Sequence, residues 1–197
     1  MKRATRPRLS LDTLNRTVEN PTWYTSPTIL ACDPSYTAWG WAAVEGHQVK
    51  SAGVIVTQPE AKKRRIREGD DFVRRTNNII KELKQIIDKY HVTYIVAELP
   101  HGSQNAKAAK MMGAVPGILE SFNVIENIPV EWYSEADAKK ALLGRISASK
   151  KEVINAIDSL YEVNWTGTKY IDEAVADALA IYYVAECNSP TIKYINK

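Results

Sequence analysis

Along the first 27 residues neither the strand period nor the helix period holds, and the segment closes on Pro21 and Pro27. From Thr28 the pattern sharpens. A continuous apolar run from Thr28 to Asp33 has the length of a buried strand, and Pro34-Ser35 ends it. Trp39 to Val44 and Val49 to Thr57 follow, with Gly46 in the turn between them, which predicts an antiparallel three-stranded meander. Between Asp70 and Lys89 the apolar spacing changes to that of a helix, with Phe72, Ile79, Ile80, Leu83, Ile86 and Ile87 on one side. Thr93 to Glu98 reads as a second buried strand, Asn105 to Phe122 as a helix of small residues, and Pro129 to Tyr133 as a fifth strand. Ser134 with Asp137, and Ser149 with Glu152, have capping-box spacing, so each opens a helix. A last long helix runs from near Asp172 to about Glu186. These elements predict an α/β protein, a five-stranded mixed sheet of three antiparallel strands and two further strands, flanked by helices. Residues 1–27 are expected to be a basic extension, partly disordered or docked through Trp23 and Tyr24, residues 28–190 one domain, and residues 191–197 a tail.

Composition narrows the class. A chain of 197 residues has room for one such domain and buries a core without staples. Its two cysteines, Cys32 and Cys187, make no disulfide framework, and no Cys/His spacing suggests zinc. Cys32, inside an apolar run, is expected to be a buried thiol. No apolar run is long enough to span a membrane, and the basic N-terminus lacks the apolar segment of a secretory signal. The expected compartment is a reducing cytoplasm, that of a host cell if the source is viral. Net charge is only +3, but the positive residues are bunched: Lys2, Arg3, Arg6 and Arg8, then Lys62, Lys63, Arg64, Arg65 and Arg67. Such tracts neutralise phosphates, or else form solvated faces.

The chemistry lies in carboxylates at the ends of buried elements. Asp33 closes Ile29-Leu30-Ala31-Cys32, Glu98 closes Tyr94-Ile95-Val96-Ala97, and Asp177 stands inside the apolar stretch from Val175 to Ile181. A charge in such surroundings is expensive unless paired or metal-bound. Any one of them alone reads better as a solvated strand end or an N-cap. Three of them point to one site. Carboxylates without Cys or His suit hard cations such as magnesium, with manganese as a substitute. Two such ions activate a water and stabilise the leaving oxygen of a phosphodiester.

Four segments carry a resemblance: ACDPSYTAWGWAAVEG (31–46), YIVAELPHGSQNA (94–106), LLGRISASKKEV (142–153) and VADALAIYY (175–183). In this order and spacing they resemble the RuvC family of Holliday-junction resolvases, over about residues 28–187. The resemblance implies a ribonuclease H-like fold and a metal-dependent, structure-selective DNA endonuclease that makes paired cuts in a four-way junction, acting as a homodimer. It implies that Asp33, Glu98 and Asp177 are metal ligands and that Lys150 stands near the scissile phosphate. His101 falls where relatives carry an aromatic that wedges into the junction. His101, Lys150, Lys151, Arg64 and Arg65 are then candidate DNA contacts. Relatives have a further ligand three residues before the last Asp, where this chain has Ala174. On a helix Glu173 lies about 40° from Asp177, and Asp172 about 140° away. That assigns Glu173 to the metal and Asp172 to the N-cap. Dimerisation is expected through the helix that holds Ala106, Ala108, Ala109, Met111, Met112, Gly113 and Ala114.

Three other readings compete. The same residues would serve a nuclease acting on other branched DNA or on RNA. An actin-like sugar or acetate kinase shares the sheet, but needs two such domains and Gly-rich phosphate loops that this chain lacks. A non-catalytic DNA-binding relative would have no use for three acids.

Overall fold

The computed structural model describes residues 27–60 and 66–196. The basic residues 2–8 and Lys62, Lys63, Arg64 and Arg65, like Trp23 and Tyr24, lie outside the described residues. The chain runs β1 (Thr28–Asp33), β2 (Ala38–Glu45), β3 (Gln48–Val56), α1 (Glu68–Tyr90), β4 (Val92–Glu98), α2 (Ala106–Glu126), β5 (Val130–Tyr133), α3 (Glu135–Leu143), α4 (Lys150–Leu160), α5 (Lys169–Asn188) and α6 (Pro190–Ile195). The strands form one sheet in the order β3-β2-β1-β4-β5. β1, β2 and β3 are antiparallel neighbours, while β4 and β5 join β1 in parallel. This is the mixed sheet that the hydrophobic pattern predicts.

Period-two alternation divides the buried side chains between two helix layers. Ile29, Ala31, Ala42, Val44 and Val96 face α3, α4 and α5, against Val153, Ile157, Leu179 and Tyr182. Leu30, Cys32, Trp39, Ile55 and Ile95 face the other way, onto Ile79, Leu83 and Ile87 of α1 and Leu119 and Phe122 of α2. β1 is buried on both faces, which is why it reads as an unbroken apolar run. Cys32 is fully buried, and that burial pushes its thiol up to about 12.

Helix boundaries follow their caps. Both capping boxes form, at Ser134 with Asp137 and at Ser149 with Glu152. α1 ends on His91 and α2 on Asn127, each in the left-handed region that turns the chain back toward the sheet. α5 begins three residues before the expected Asp172. Its N-cap is Thr168, and Asp172 instead accepts hydrogen bonds from the Thr166 backbone N–H and hydroxyl, bracing the loop that leads into the helix. The assignment of Asp172 to the N-cap is thereby corrected. Where a C-terminal tail was expected, α6 packs back with Ile192 fully buried. Among the described residues no helix is long and apolar enough to cross a membrane.

Candidate active site

The sheet itself places two of the three predicted carboxylates. β1 and β4 are parallel, with Cys32 opposite Ala97, so Asp33 and Glu98 emerge side by side one residue further on. Asp33 shares the parity of Ile29 and Ala31, and Glu98 that of Val96. Both therefore project toward the α5 layer. Asp177 comes from α5 on that same face. Gly40 lets α5 close in. It pairs with Asp33 across β1–β2, and a Cβ there would stand 2.3 Å from the Ala174 carbonyl oxygen. The first turns of α5 thus lie directly on β2 beside Asp33, and Ala174 is buried in the contact.

The three carboxylates act on one another. Asp33 is pushed up to about 8, by burial first and then by the charges of Asp177 and Glu98. Glu98 is pushed up to about 7, by burial and by the charges of Glu135 and Asp177. Among the described residues neither side chain has a hydrogen bond or an ion pair to balance it. Asp177 is also raised, because burial outweighs the hydrogen bond it accepts at 2.5 Å from Lys150 Nζ. Burial opposes the Lys150 charge in turn, but the bond to Asp177 and the charges of Asp33 and Glu135 hold its ammonium above the ordinary lysine value. Lys150 is the first residue of α4, and its side chain remains 46% exposed.

The other predicted residues fall into place unevenly. His101 lies in the loop after β4, largely exposed, with Nε2 3.9 Å from Glu135 Oε2. Lys151 is exposed on the first turn of α4. Glu173 is half-buried and stands 3.9 Å from Lys169 Nζ, and it is not among the charges that dominate the titration of Asp33, Glu98 or Asp177. Glu135 is among them for all three. Sequence reasoning did not single it out. It is the first residue of α3, two residues past the end of β5, and Glu135 Oε1 accepts from Lys139 Nζ at 2.5 Å. Its signal was available: an acid two residues past the end of β5, where Asp33 and Glu98 are the last residues of β1 and β4. Arg75 was also missed. It is almost wholly buried in α1, and its guanidinium donates to the Tyr36 carbonyl, the Thr57 hydroxyl and the Thr37 hydroxyl. That pins the loop leaving Asp33.

The donor set is oxygen-rich and underneutralised, which suits divalent cations. One ligand atom from each of Glu98, His101 and Glu135 lies within 4.8 Å of the others. Among the described residues this is the only group of three so arranged.

Comparison with known proteins gives a consistent result. Residues 29–184 match the family described as "Crossover junction endodeoxyribonuclease RuvC". The chain is 27% identical over 157 residues to the protein of that name from Chlorobium phaeobacteroides, covering 78% of each chain. It is 28% identical over 162 residues to the one from Ehrlichia ruminantium strain Welgevonden, covering 79% of this chain and 96% of the relative. Among solved structures, T. thermophilus RuvC in complex with Holliday junction substrate aligns with a TM-score of 0.63 at 21% identity, over 80% of this chain and 92% of that one. The yeast mitochondrial Holliday junction resolvase Ydc2 aligns with a TM-score of 0.57 at 11% identity, over 87% and 84%. These two likenesses establish the ribonuclease H-like fold.

Proposed function

The chain belongs to the RuvC family of crossover junction endodeoxyribonucleases, and from that premise we propose that it resolves four-way DNA junctions by metal-dependent hydrolysis of paired phosphodiesters. The observation that carries this reading is the meeting of Asp33, Glu98 and Asp177 on one face of the sheet. Two of these carboxylates accept no hydrogen bond and form no ion pair among the described residues, and burial and neighbouring acids raise both.

Asp33 and Glu98, fixed at adjacent strand ends, and Asp177, fixed by the close approach of α5 at Gly40, would hold the cations. Magnesium, or manganese in its place, would supply an activated water and stabilise the leaving oxygen. The rest is work for the chain itself. Lys150 donates to Asp177, and its half-exposed ammonium would meet charge developing on the phosphate. Lys151 adds positive charge beside it. His101 offers a flat ring at the mouth of the site, suited to stack on a base or contact a phosphate. Arg64 and Arg65 would add backbone contacts.

Symmetric resolution needs two such sites related by a twofold axis, hence a homodimer. α2 supports this. Val124 and Ile125 are 80% and 75% exposed, and a Cβ at Gly113 or Gly117 would meet only open space.

The test is cleavage of a synthetic four-way junction with and without magnesium, beside a flap, a linear duplex and a structured RNA. Paired cuts in the junction, lost with EDTA, are expected. Preference for the flap or the RNA would move the substrate and keep the chemistry. Tight binding without cleavage in either metal would show a relative that only binds DNA.

A further inference from the structure

The two-ion reading leaves this chain one carboxylate short. Position 174 is an alanine, buried where α5 closes on Gly40, and it has no ligand atom to offer. Glu173 faces Lys169, near the solvent-exposed start of α5. The deficit is made good from the other side of the site. Tyr133, the last residue of β5, pairs with Glu98, and Glu135 follows two residues later. Asp33, Glu98 and Glu135 therefore stand in a row at the C-terminal ends of three adjacent parallel strands.

Glu135 is also oriented for the task. Its Oε1 is held by Lys139, one helical turn on, while Oε2 is turned toward His101 Nε2 at 3.9 Å. The amide N–H groups at the start of α3 favour a negative charge at that position. The ligand atoms of Glu98, His101 and Glu135 lie within 4.8 Å of one another, a span that one cation bridges. Glu98 belongs both to this group and to the pair it makes with Asp33.

We propose that Glu135 supplies the missing fourth carboxylate, and that with Glu98 and His101 it holds the second divalent cation on the β5 side of the site. The proposal rests on the metal-dependent reading above. Because one donor is an imidazole nitrogen, this second position favours manganese over magnesium, while the Asp33 side is all oxygen.

The decisive measurement is direct. Free Mn2+ gives an electron paramagnetic resonance signal that is lost on binding, so titrating the whole protein without DNA counts bound ions independently of cleavage. The wild type should bind two ions per chain. Glu135→Gln should lose the second or weaken it on the order of tenfold or more. Glu173→Gln should retain both. Lys139→Gln breaks the same ion pair without removing a ligand, so it separates metal loss from a disturbed α3. Circular dichroism checks that each variant is folded. The proposal is overturned if Glu135→Gln keeps the wild-type count and affinity, or if Glu173→Gln loses an ion instead. It is also overturned by a single wild-type ion that Glu135→Gln leaves untouched. An Asp33→Asn protein that loses an ion while Glu135→Gln loses none would defeat this proposal and keep the metal-dependent reading. A wild type that binds no Mn2+ would defeat both.

Discussion

Lys150 and Asp177 form an ion pair in which each partner depends on the other. Asp177 is 13% exposed, and among the described residues Lys150 is the one cation hydrogen-bonded to it. Lys150→Ala should slow junction cleavage by on the order of a hundredfold, if the ammonium also meets charge in the transition state. Junction affinity should change only a few-fold, because a single phosphate contact is at stake. Single-turnover rates beside equilibrium binding check this, and equal losses in both would reduce Lys150 to an ordinary phosphate contact. The carboxylates make a second, thermodynamic prediction. Asp33 and Glu98 are acids whose folded-state values, about 8 and about 7, lie above their ordinary 3.8 and 4.5. Between those limits the folded state binds more protons than the unfolded one, so metal-free stability should fall as pH rises from about 4 to about 8. Each tenfold difference in proton affinity between the two states corresponds to about 1.4 kcal/mol. Magnesium should cancel the fall, so melting temperatures in EDTA and in magnesium should diverge with rising pH. Asp33→Asn should then abolish cleavage and yet raise the metal-free melting temperature above wild type at pH 8. Parallel curves, or a destabilised Asp33→Asn, would show that these acids do not share uncompensated charge.

At the scale of elements, the tightest constraint is the contact between α5 and β2. A Cβ on residue 40 would sit 2.3 Å from a backbone oxygen, which no rotamer relieves, so Gly40→Ala must push α5 off the sheet. A cost of about 2–3 kcal/mol is expected. Gly117→Ala, on an open face of α2, should leave the free chain unchanged or raise its stability by about 1 kcal/mol. Urea midpoints compare the two, and a neutral Gly40→Ala would mean that the helix is free to shift. This contact was not legible in the sequence, because it joins residues 134 positions apart. Local signals fared better. Strand ends at Asp33 and Glu98 and both capping boxes were readable because each is set by a few neighbouring residues. The start of α5 was not. Thr168 caps it without a side-chain bond, while Asp172, the residue with the stronger capping chemistry, is engaged with Thr166. Glu135 was overlooked because Ser134 and Asp137 already explained the helix start, and an acid in a first turn is ordinary.

For the whole molecule, the order of strands and helices was enough to predict the mixed sheet, since each element announces its own period. How two chains associate leaves no such periodic trace, and geometry has to decide it. Among the described residues the acids Asp33, Glu98 and Asp177 gather in one place, at the C-terminal ends of β1 and β4 under α5, and a four-way junction presents two equivalent strands. Paired cuts therefore require two chains or two separate encounters. α2 lies in the layer opposite α5, so a dimer joined through α2 would leave both sites uncovered. Val124 and Ile125 are apolar side chains left in solvent near the end of that helix, and Gly113 and Gly117 are open positions further back along it. Replacing both with charges, Val124→Glu with Ile125→Lys, should leave the monomer fold intact, since both side chains are already mostly exposed. Sedimentation should then show a dimer for the wild type at micromolar concentration and a monomer for the double variant. On a junction held in a supercoiled plasmid, the wild type should release linear product within one binding event. The variant should accumulate nicked circles, as each cut becomes an independent encounter. A wild type that is monomeric both free and on the junction, or a variant that still makes paired cuts, would place the interface elsewhere or remove it.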